Sequence, residues 1–509
     1  MTPGPGVDPV TLQVLAGGMR AACEEMGAVL IRSAFSPNIT ERRDCSTALF
    51  DARGELVMQA EHIPVHLGSM PDAVAAVACE HHREGDLWIL NDPYRGGTHL
   101  PDVTLISPAF VVGEMVGFAA SRAHHADIGG DTPAGMPVDS TSLEQEGVVI
   151  PPTRVDDAAL RELAGRMRNP PQRLADLRAQ RAANLTGIER LRELAQRDGL
   201  PALRAGMEEI LAYAERRTRA ALAALPDGVG TAEDEMESRD GSPIPLRVRA
   251  AIDGESLTLD FEGTAGQIEG NLNCPLSVTR SACFYAVRVV CDPDAPPSAG
   301  AWRPVEVRAP EGSLVHASPP GAVAAGNTET SSRIADLVLD ALAAFAPVQA
   351  NGQGTMNNLT LAGGDGKRGW TYYETIGGGQ GACPDADGPS AIHVAMSNTL
   401  NTPVEALETT YPVRLRELSL RRGSGGAGRH RGGDGIVREL EALAPMGYTL
   451  IAERRLRAPR GRDGGEDGSP GGDSRNDEPI PGKSAGRLER GDRLRIETPG
   501  GGGYGSVTG

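Results

Sequence analysis

The chain has 509 residues, a formal net charge of −18, 39% hydrophobic residues and only 4% aromatic ones. A uniformly acidic surface repels phosphate backbones, which argues against a nucleic-acid partner. No apolar run reaches the roughly 18 residues of a membrane span, and the first residues lack a basic and apolar export signal, so a cytoplasmic location and no membrane partner are expected.

The core must rest on Ala, Leu, Val and Ile, and 65 Gly with 38 Pro favour many turns over a helical bundle. The seven cysteines are an odd number without a Cys-x-x-Cys pair, so reduced thiols are expected, most of them buried. At roughly 150 residues per domain the length suggests about three domains, or one large body with insertions. The expected class is mixed α and β (α+β). An N-terminal, hairpin-built metal region over 1–155 precedes a helical hairpin over 156–228. A strand-rich region over 229–435 follows, and then a C-terminal segment over 436–509 with a flexible Gly-rich loop and tail.

In chain order, Leu12, Leu15, Met19, Cys23, Met26 and Leu30 recur at helical steps, with Asp8 as N-cap and Pro9 in the first turn. Ala48–Phe50 and Glu55–Met58 predict a hairpin around Asp51–Gly54, and a helix is expected from about Asp72. Trp88–Leu90 reads as a short strand. Val103–Ser107 and Met115–Ala120 predict a hairpin turning at Gly113-Glu114.

Two long amphipathic helices over 170–225 are broken at Gly199-Leu-Pro201, with Gln180 and Asn184 interrupting the first stripe, read as solvated positions in preference to a reach into the active site. Leu246–Ile252 and Leu257–Phe261 predict a further hairpin, and Ser331–Phe345 a helix. Gly461–Pro481 reads as a mobile loop, and Gly500–Gly505 as a flexible tail unless a partner orders it.

The segment Asn91-Asp-Pro-Tyr-Arg-Gly-Gly-Thr-His-Leu-Pro-Asp102, with Ala123-His-His-Ala-Asp-Ile-Gly-Gly130, supplies His99, Asp102, His124, His125 and Asp127 in a chain of only ten histidines. Imidazole and carboxylate are the ligand set of Zn, Mn and Fe ions. Across the predicted hairpin Asp102 falls opposite His124 or His125, and a one-residue slip would exchange them. Any one of these histidines reads as a polar loop residue. The converging set points to a divalent metal, because gathered charges need a partner or an ion. Asp44 is a possible fourth ligand from another segment. His125, Asp127 and Glu146 are the candidates for moving protons at metal-bound water or a polarised carbonyl.

Other motifs fail on context. There is no Walker-type phosphate loop and no His-Glu-x-x-His. Gly377–Ala382 fits a dinucleotide fingerprint only formally, because Cys383-Pro-Asp-Ala-Asp-Gly-Pro389 cannot open a helix; a tight glycine-lined loop near substrate or an interface is the better reading. Gly482-Lys-Ser-Ala-Gly486 lacks the strand and helix of a nucleophile elbow.

Several segments carry a family resemblance: Ser36–Ser46, His62-Ile-Pro-Val-His-Leu-Gly-Ser-Met70, Asn91–Asp102, Ala123–Gly130, Glu146-Gly147, Asn398–Glu405, Gly425–Gly435 and Gly500–Gly505. With them the chain strongly resembles the hydantoinase B/oxoprolinase (HyuB-type) family, as in N-methylhydantoinase, 5-oxoprolinase and acetone carboxylase-like enzymes. The resemblance implies a partner, a HyuA-type subunit of the actin-like ATPase class, which uses ATP to activate a lactam or ketone. The HyuB-type subunit would then complete the reaction with a divalent metal (Zn, Mn or Fe).

The family's His-x-x-Asp and downstream His fall on His99, Asp102 and His124, which favours His124 over His125. The family's Asp in the Glu-Arg-Arg-Asp segment falls on Asp44. Two positions depart from the family pattern: Cys45 replaces a usual aromatic residue and Thr40 a usual Lys. The function this implies is the HyuB-type subunit of an ATP-dependent cyclic-amide hydrolase in a hetero-oligomer, acting on 5-oxoproline, a hydantoin or a related lactam. The alternatives are the metal-bearing subunit of a ketone carboxylase, or a non-catalytic scaffold for the ATPase subunit.

Overall fold

The computed structural model describes residues 8–364 and 369–507. The first helix, α1 (Pro9–Ser33), starts where the sequence places it, with the Asp8 carboxylate accepting from the backbone N–H groups of Val10 and Thr11. Strands β1 (Cys45–Asp51) and β2 (Leu56–Glu61) form the first hairpin. Helix α2 (Ser69–Ala78) begins three residues before the expected Asp72. The strands β3 (Trp88–Leu90), β4 (Asp102–Val111), β5 (Glu114–His124) and β6 (Thr153–Arg154) follow.

These strands make one antiparallel sheet in the order β2-β1-β5-β4-β3-β6. The β4–β5 turn sits at Val112-Gly113, one residue earlier than expected. Both have positive φ (50° and 79°), and Val111 pairs with Glu114. That left-handed pair suits the twist of a two-residue hairpin. The register places Asp102 opposite His124.

Helices cover both faces of this sheet, which is why β1 is buried along its whole length. On one face α1 and the long helix α3 (Pro170–Asp198) bring Met19, Met26 and Leu191 against Leu49 and Ala119. On the other, Met70, Val74 and Val77 of α2 meet Phe50, Leu90 and Phe118. Gln180 and Asn184 of α3 are not solvated. Both are fully buried, and their amides donate to sheet carbonyls: Gln180 to Val103 at 2.9 Å and Ser121 at 3.2 Å, Asn184 to Leu105 at 3.0 Å. They interrupt the apolar stripe because they satisfy backbone groups at the end of the hairpin that carries the histidines. After Gly199, α4 (Leu200–Ala223) runs on.

The second sheet has the order β10-β9-β8-β7, from β7 (Gly228–Glu237), β8 (Pro243–Asp253), β9 (Ser256–Asp260) and β10 (Val305–Arg308). One face is open to solvent, so β8 alternates buried and exposed. Helices α5 (Leu276–Cys291) and α6 (Ser331–Leu342) add Val278, Leu337 and Leu342 to the core on the other face. A π-helical turn, Gly326–Thr330, leads into α6.

The C-terminal strands are β11 (Asn358–Gly363), β12 (Trp370–Glu374), β13 (Val413–Arg421), β14 (Gly435–Ala442), β15 (Met446–Ile451), β16 (Gly472–Arg475), β17 (Glu478–Ile480), β18 (Lys483–Leu488) and β19 (Arg493–Glu497). They make two sheets, β12-β11-β15-β18 and β13-β14-β19-β16-β17, which share a core of Leu359, Tyr372, Leu440, Leu450 and Ile496. The expected boundary at 435 is therefore overturned. Strands from before it pair with strands from after it in both sheets, and one core binds them.

The flexible loop and tail are overturned as well. Gly472–Arg475 and Glu478–Ile480 are paired strands, and Gly500–Tyr504 is buried. The tail threads between three other glycine-bearing segments. Gly501 N–H donates to Gly433 O, Gly433 N–H to Gln380 O and Gly502 N–H to Asn351 O, each at 2.9 Å. Side chains are excluded from this array by space: a Cβ on Gly501 would lie 2.0 Å from Gln380 O, and one on Gly433 would lie 1.9 Å from Pro389 O. The Gly377–Ala382 loop belongs to the same array, against the chain's own backbone. None of the seven cysteines is in a disulfide among the described residues, and four of them are buried.

Candidate metal centre

The loop carrying His99 is shaped by the residues before it. Asp92 accepts from Tyr94 N–H at 3.0 Å and starts a short 3-10 turn, which ends at Gly96 with φ 98°. A side chain at Gly96 would run into the backbone of Ala73, 2.6 Å away. Asn91 then pins the loop: its amide donates to Leu100 O at 2.8 Å and Val148 O at 2.9 Å, and its oxygen accepts from Ile150 N–H at 2.7 Å. Arg122, buried in β5, donates to Thr104 Oγ1 at 2.7 Å and Gly96 O at 2.8 Å, locking the loop to the hairpin.

His99, Asp102 and His124 converge at that end. His99 Nε2 and His124 Nδ1 lie 3.2 Å apart, and Asp102 Oδ1 is 3.2 Å from the first and 3.1 Å from the second. All three residues are buried, and their ligand atoms fall within 4.8 Å of one another. Four-coordinate bonds of about 2.0–2.2 Å put neighbouring ligand atoms roughly 3.4 Å apart, so the trio fits around one cation. Burial works against the Asp102 carboxylate, yet the surrounding imidazoles hold it well below the usual carboxylate range. Burial also opposes a charged His99, and Asp102 overrides it and raises the imidazole.

The cavity is small, about 20 Å³, room for one ion or water. Asp44, His66, Asn327, Thr328, Tyr373, Thr375 and Thr399 share its wall with the trio. Asp44 is thus brought to the site, and its carbonyl accepts from His124 N–H at 3.0 Å, but its carboxylate lies outside the converging trio. Tyr373 stacks on the His124 ring, centroids 4.7 Å apart and planes 15° apart, and its hydroxyl donates to Asn358 Oδ1 at 2.7 Å. His124 Nε2 and Asn327 Oδ1 are buried without a hydrogen-bond partner, which fits a site built for a further ligand or ion.

The three proton-moving candidates sit elsewhere. His125 turns to the helix side, Nε2 2.9 Å from Gln180 Oε1, and burial pushes it down to about 4. Consecutive residues of an extended segment face opposite ways, so His124 and His125 cannot both enter the cavity. Asp127 organises the next loop: it accepts from Gly129 N–H at 3.0 Å, Ala134 N–H at 2.9 Å, Thr371 Oγ1 at 3.0 Å and Arg168 at 3.1 Å. Glu146 accepts from Val323 N–H at 3.1 Å, Ala324 N–H at 3.0 Å and Ser140 Oγ at 2.9 Å, and burial pushes it up to about 7. It meets the site through Ala324, whose N–H it binds and whose carbonyl oxygen lies 3.3 Å from His99 Nδ1.

Two features escaped the sequence reading. His66 lies 3.5 Å from Asp102 Oδ2; its only signal was the second His of His62-Ile-Pro-Val-His66. Arg42, fully buried, donates to Thr375 O at 3.0 Å and Thr399 Oγ1 at 3.0 Å, tying the N-terminal region to the far wall of the cavity. Nothing in its spacing pointed across more than 300 residues.

The model of the family described as hydantoinase B/oxoprolinase matches residues 8–507. The chain is 39% identical over 537 residues to 5-oxoprolinase 1 of Arabidopsis thaliana, covering 98% of this chain but 42% of that protein. It is 31% identical to a protein of a Pseudomonas species named as one putative subunit of a D-/L-hydantoinase, covering 98% of this chain and 90% of that one. The ATP-dependent caprolactamase of Pseudomonas jessenii superposes with a TM-score of 0.91 at 29% identity, over 98% of this chain and 91% of that chain. The chain thus spans about two-fifths of the plant relative and nearly all of the Pseudomonas one. With its whole described length matched, it belongs to the hydantoinase B/oxoprolinase family.

Proposed function

We propose that this chain is the metal-bearing subunit of an ATP-dependent enzyme that opens a cyclic amide such as 5-oxoproline, a hydantoin or a related lactam. The observation that carries the reading is the convergence of His99, Asp102 and His124, with Asp44 in the same wall, in a small cavity lined by buried residues. The trio would hold a divalent Zn, Mn or Fe ion, with Asp44 as a fourth ligand if its carboxylate turns toward the bound ion. Bound there, such an ion supplies Lewis-acid polarisation of a carbonyl and a more acidic water. The chain's own contribution is to orient the ligands. Thr98 donates to Asp102 Oδ2 at 2.6 Å, the Ala324 carbonyl sets the His99 ring, and Tyr373 fixes the plane of His124. Burial of the whole set excludes bulk water and strengthens each polar contact.

ATP would be used by a partner of the HyuA type. The likeness to a protein named as one part of a multi-chain hydantoinase supports a hetero-oligomer. The proton carrier is better sought among groups that line the cavity than in His125, Asp127 or Glu146. The test is a coupled assay of the chain with a HyuA-type subunit, ATP and each of 5-oxoproline, hydantoin and caprolactam. Ring opening with phosphate release, lost in His99→Ala, supports the proposal. Consumption of a ketone only when bicarbonate is present would move the assignment to a carboxylase. Turnover unaffected by His99→Ala would leave the chain a scaffold.

A further inference from the structure

The two oxygens of Asp102 keep different company. Oδ1 faces the imidazoles of His99 and His124 at 3.2 and 3.1 Å. Oδ2 faces Thr98 Oγ1 at 2.6 Å, Asn327 Nδ2 at 3.5 Å and His66 Nε2 at 3.5 Å. His66 comes from a separate segment, the short 3-10 turn Pro64–His66. That turn is pinned from behind: Gly68 N–H donates to Ser281 Oγ of α5 at 2.9 Å, and a Cβ at Gly68 would lie 2.8 Å from Ser281 N. The ring is fully buried, and its Nδ1 sits 2.9 Å from Ser46 Oγ on β1.

A carboxylate only accepts hydrogen bonds, so a neutral ring facing it presents N–H from Nε2. Nδ1 is then the acceptor, and the Ser46 hydroxyl donates to it. Nε2 has no hydrogen-bond partner within the usual distance, so the ring is aimed at Asp102 Oδ2 and the cavity and spent on nothing else.

We infer that His66, with its tautomer set by Ser46, is a positioning residue that steers the Asp102 carboxylate so that Oδ1 is presented to the metal. The inference rests on the metal reading above. It assigns a role to a histidine that contributes no ligand atom to the converging trio, and it makes Ser46–His66–Asp102 a relay from β1 to the metal. Partners of this kind orient a ligand and change metal affinity by roughly 10–100-fold when removed.

The test uses the purified full chain and metal alone. Zinc affinity is measured by competition with a chromophoric chelator, coordination by the visible spectrum of the cobalt(II) form, and folding by thermal unfolding of the metal-free proteins. His66→Phe is expected to weaken zinc binding roughly 10–100-fold with the cobalt bands and metal-free melting unchanged. Ser46→Ala should shift affinity the same way by less. His66→Gln, which offers an N–H at similar reach, should recover part of the loss.

Wild-type affinity in His66→Phe, or in Ser46→Ala and His66→Gln together if the phenylalanine variant does not fold, would overturn the inference. So would cobalt bands that lose a nitrogen ligand, which would make His66 a direct ligand. A wild-type chain that takes up no metal would instead overturn the metal reading on which the inference stands.

Discussion

The His/Asp end of the β4–β5 hairpin and the C-terminal glycine array hold their shapes by opposite means. At the hairpin end, few side chains do much each: Asn91, Arg122, Gln180 and Asp102 each make several of the hydrogen bonds that fix the site. In the array, side chains are what must be missing. Backbones approach so closely that a single Cβ would meet a carbonyl oxygen at about 2 Å, and N–H groups bond directly to the neighbouring segment. Replacing a ligand side chain in the first region should therefore cost the site and spare the fold, whereas adding a side chain in the second should cost the fold itself.

The strongest way to break that contrast is Gly501→Val, whose Cβ would lie 2.0 Å from Gln380 O. It should cost roughly 3 kcal/mol or more, read as a lowered urea midpoint or as insoluble chain, whereas His99→Ala should unfold close to wild type. If Gly501→Val melts like wild type, the array is not packed as described.

Gln180→Leu comes next. It leaves Val103 O, Ser121 O and His125 Nε2 without their partner, at about 1–3 kcal/mol in the same unfolding assay. A neutral result would mean that the helix does not brace the hairpin end.

A pH series sharpens the comparison at Glu329, the residue after Thr328 of the cavity wall. Burial pushes Glu329 up to about 7 from its ordinary 4.5, against hydrogen bonds from Thr355, Met356 and Asn358. The folded chain therefore binds this proton more tightly than the unfolded chain does. The stabilisation is complete below the unfolded value and is lost as pH rises through the folded one. In Glu329→Gln the fall in unfolding midpoint between about pH 5 and about pH 8 should be smaller than in wild type; an equal fall would show that Glu329 does not carry it. The smallest effect belongs to a glycine outside the array. Gly17 in α1 has nothing within 4 Å of a built Cβ, so Gly17→Ala should be neutral or stabilising by up to about 1 kcal/mol.

The same contrast explains what could be read from residues alone. Asp8 as a cap, the apolar spacing of α1, and the strands on either side of a short turn are local signals. The hairpin register then brings Asp102 to His124. Gln180 and Asn184 look like flaws in an apolar stripe, because periodicity identifies a face but not the carbonyls waiting on another element. His125 points to Gln180 and Glu146 to the N–H groups of Val323 and Ala324, directions that only the fold sets. The Gly-rich tail reads as loose because an absent side chain leaves no pattern, and backbone-to-backbone packing has no periodicity to detect.

Elemental analysis of the purified chain beside His124→Ala bears most directly on the account. It predicts about one equivalent of Zn, Mn or Fe in the wild type, lost in a variant that still folds. A folded wild type that stays free of metal after incubation with each ion and with its partner would contradict it.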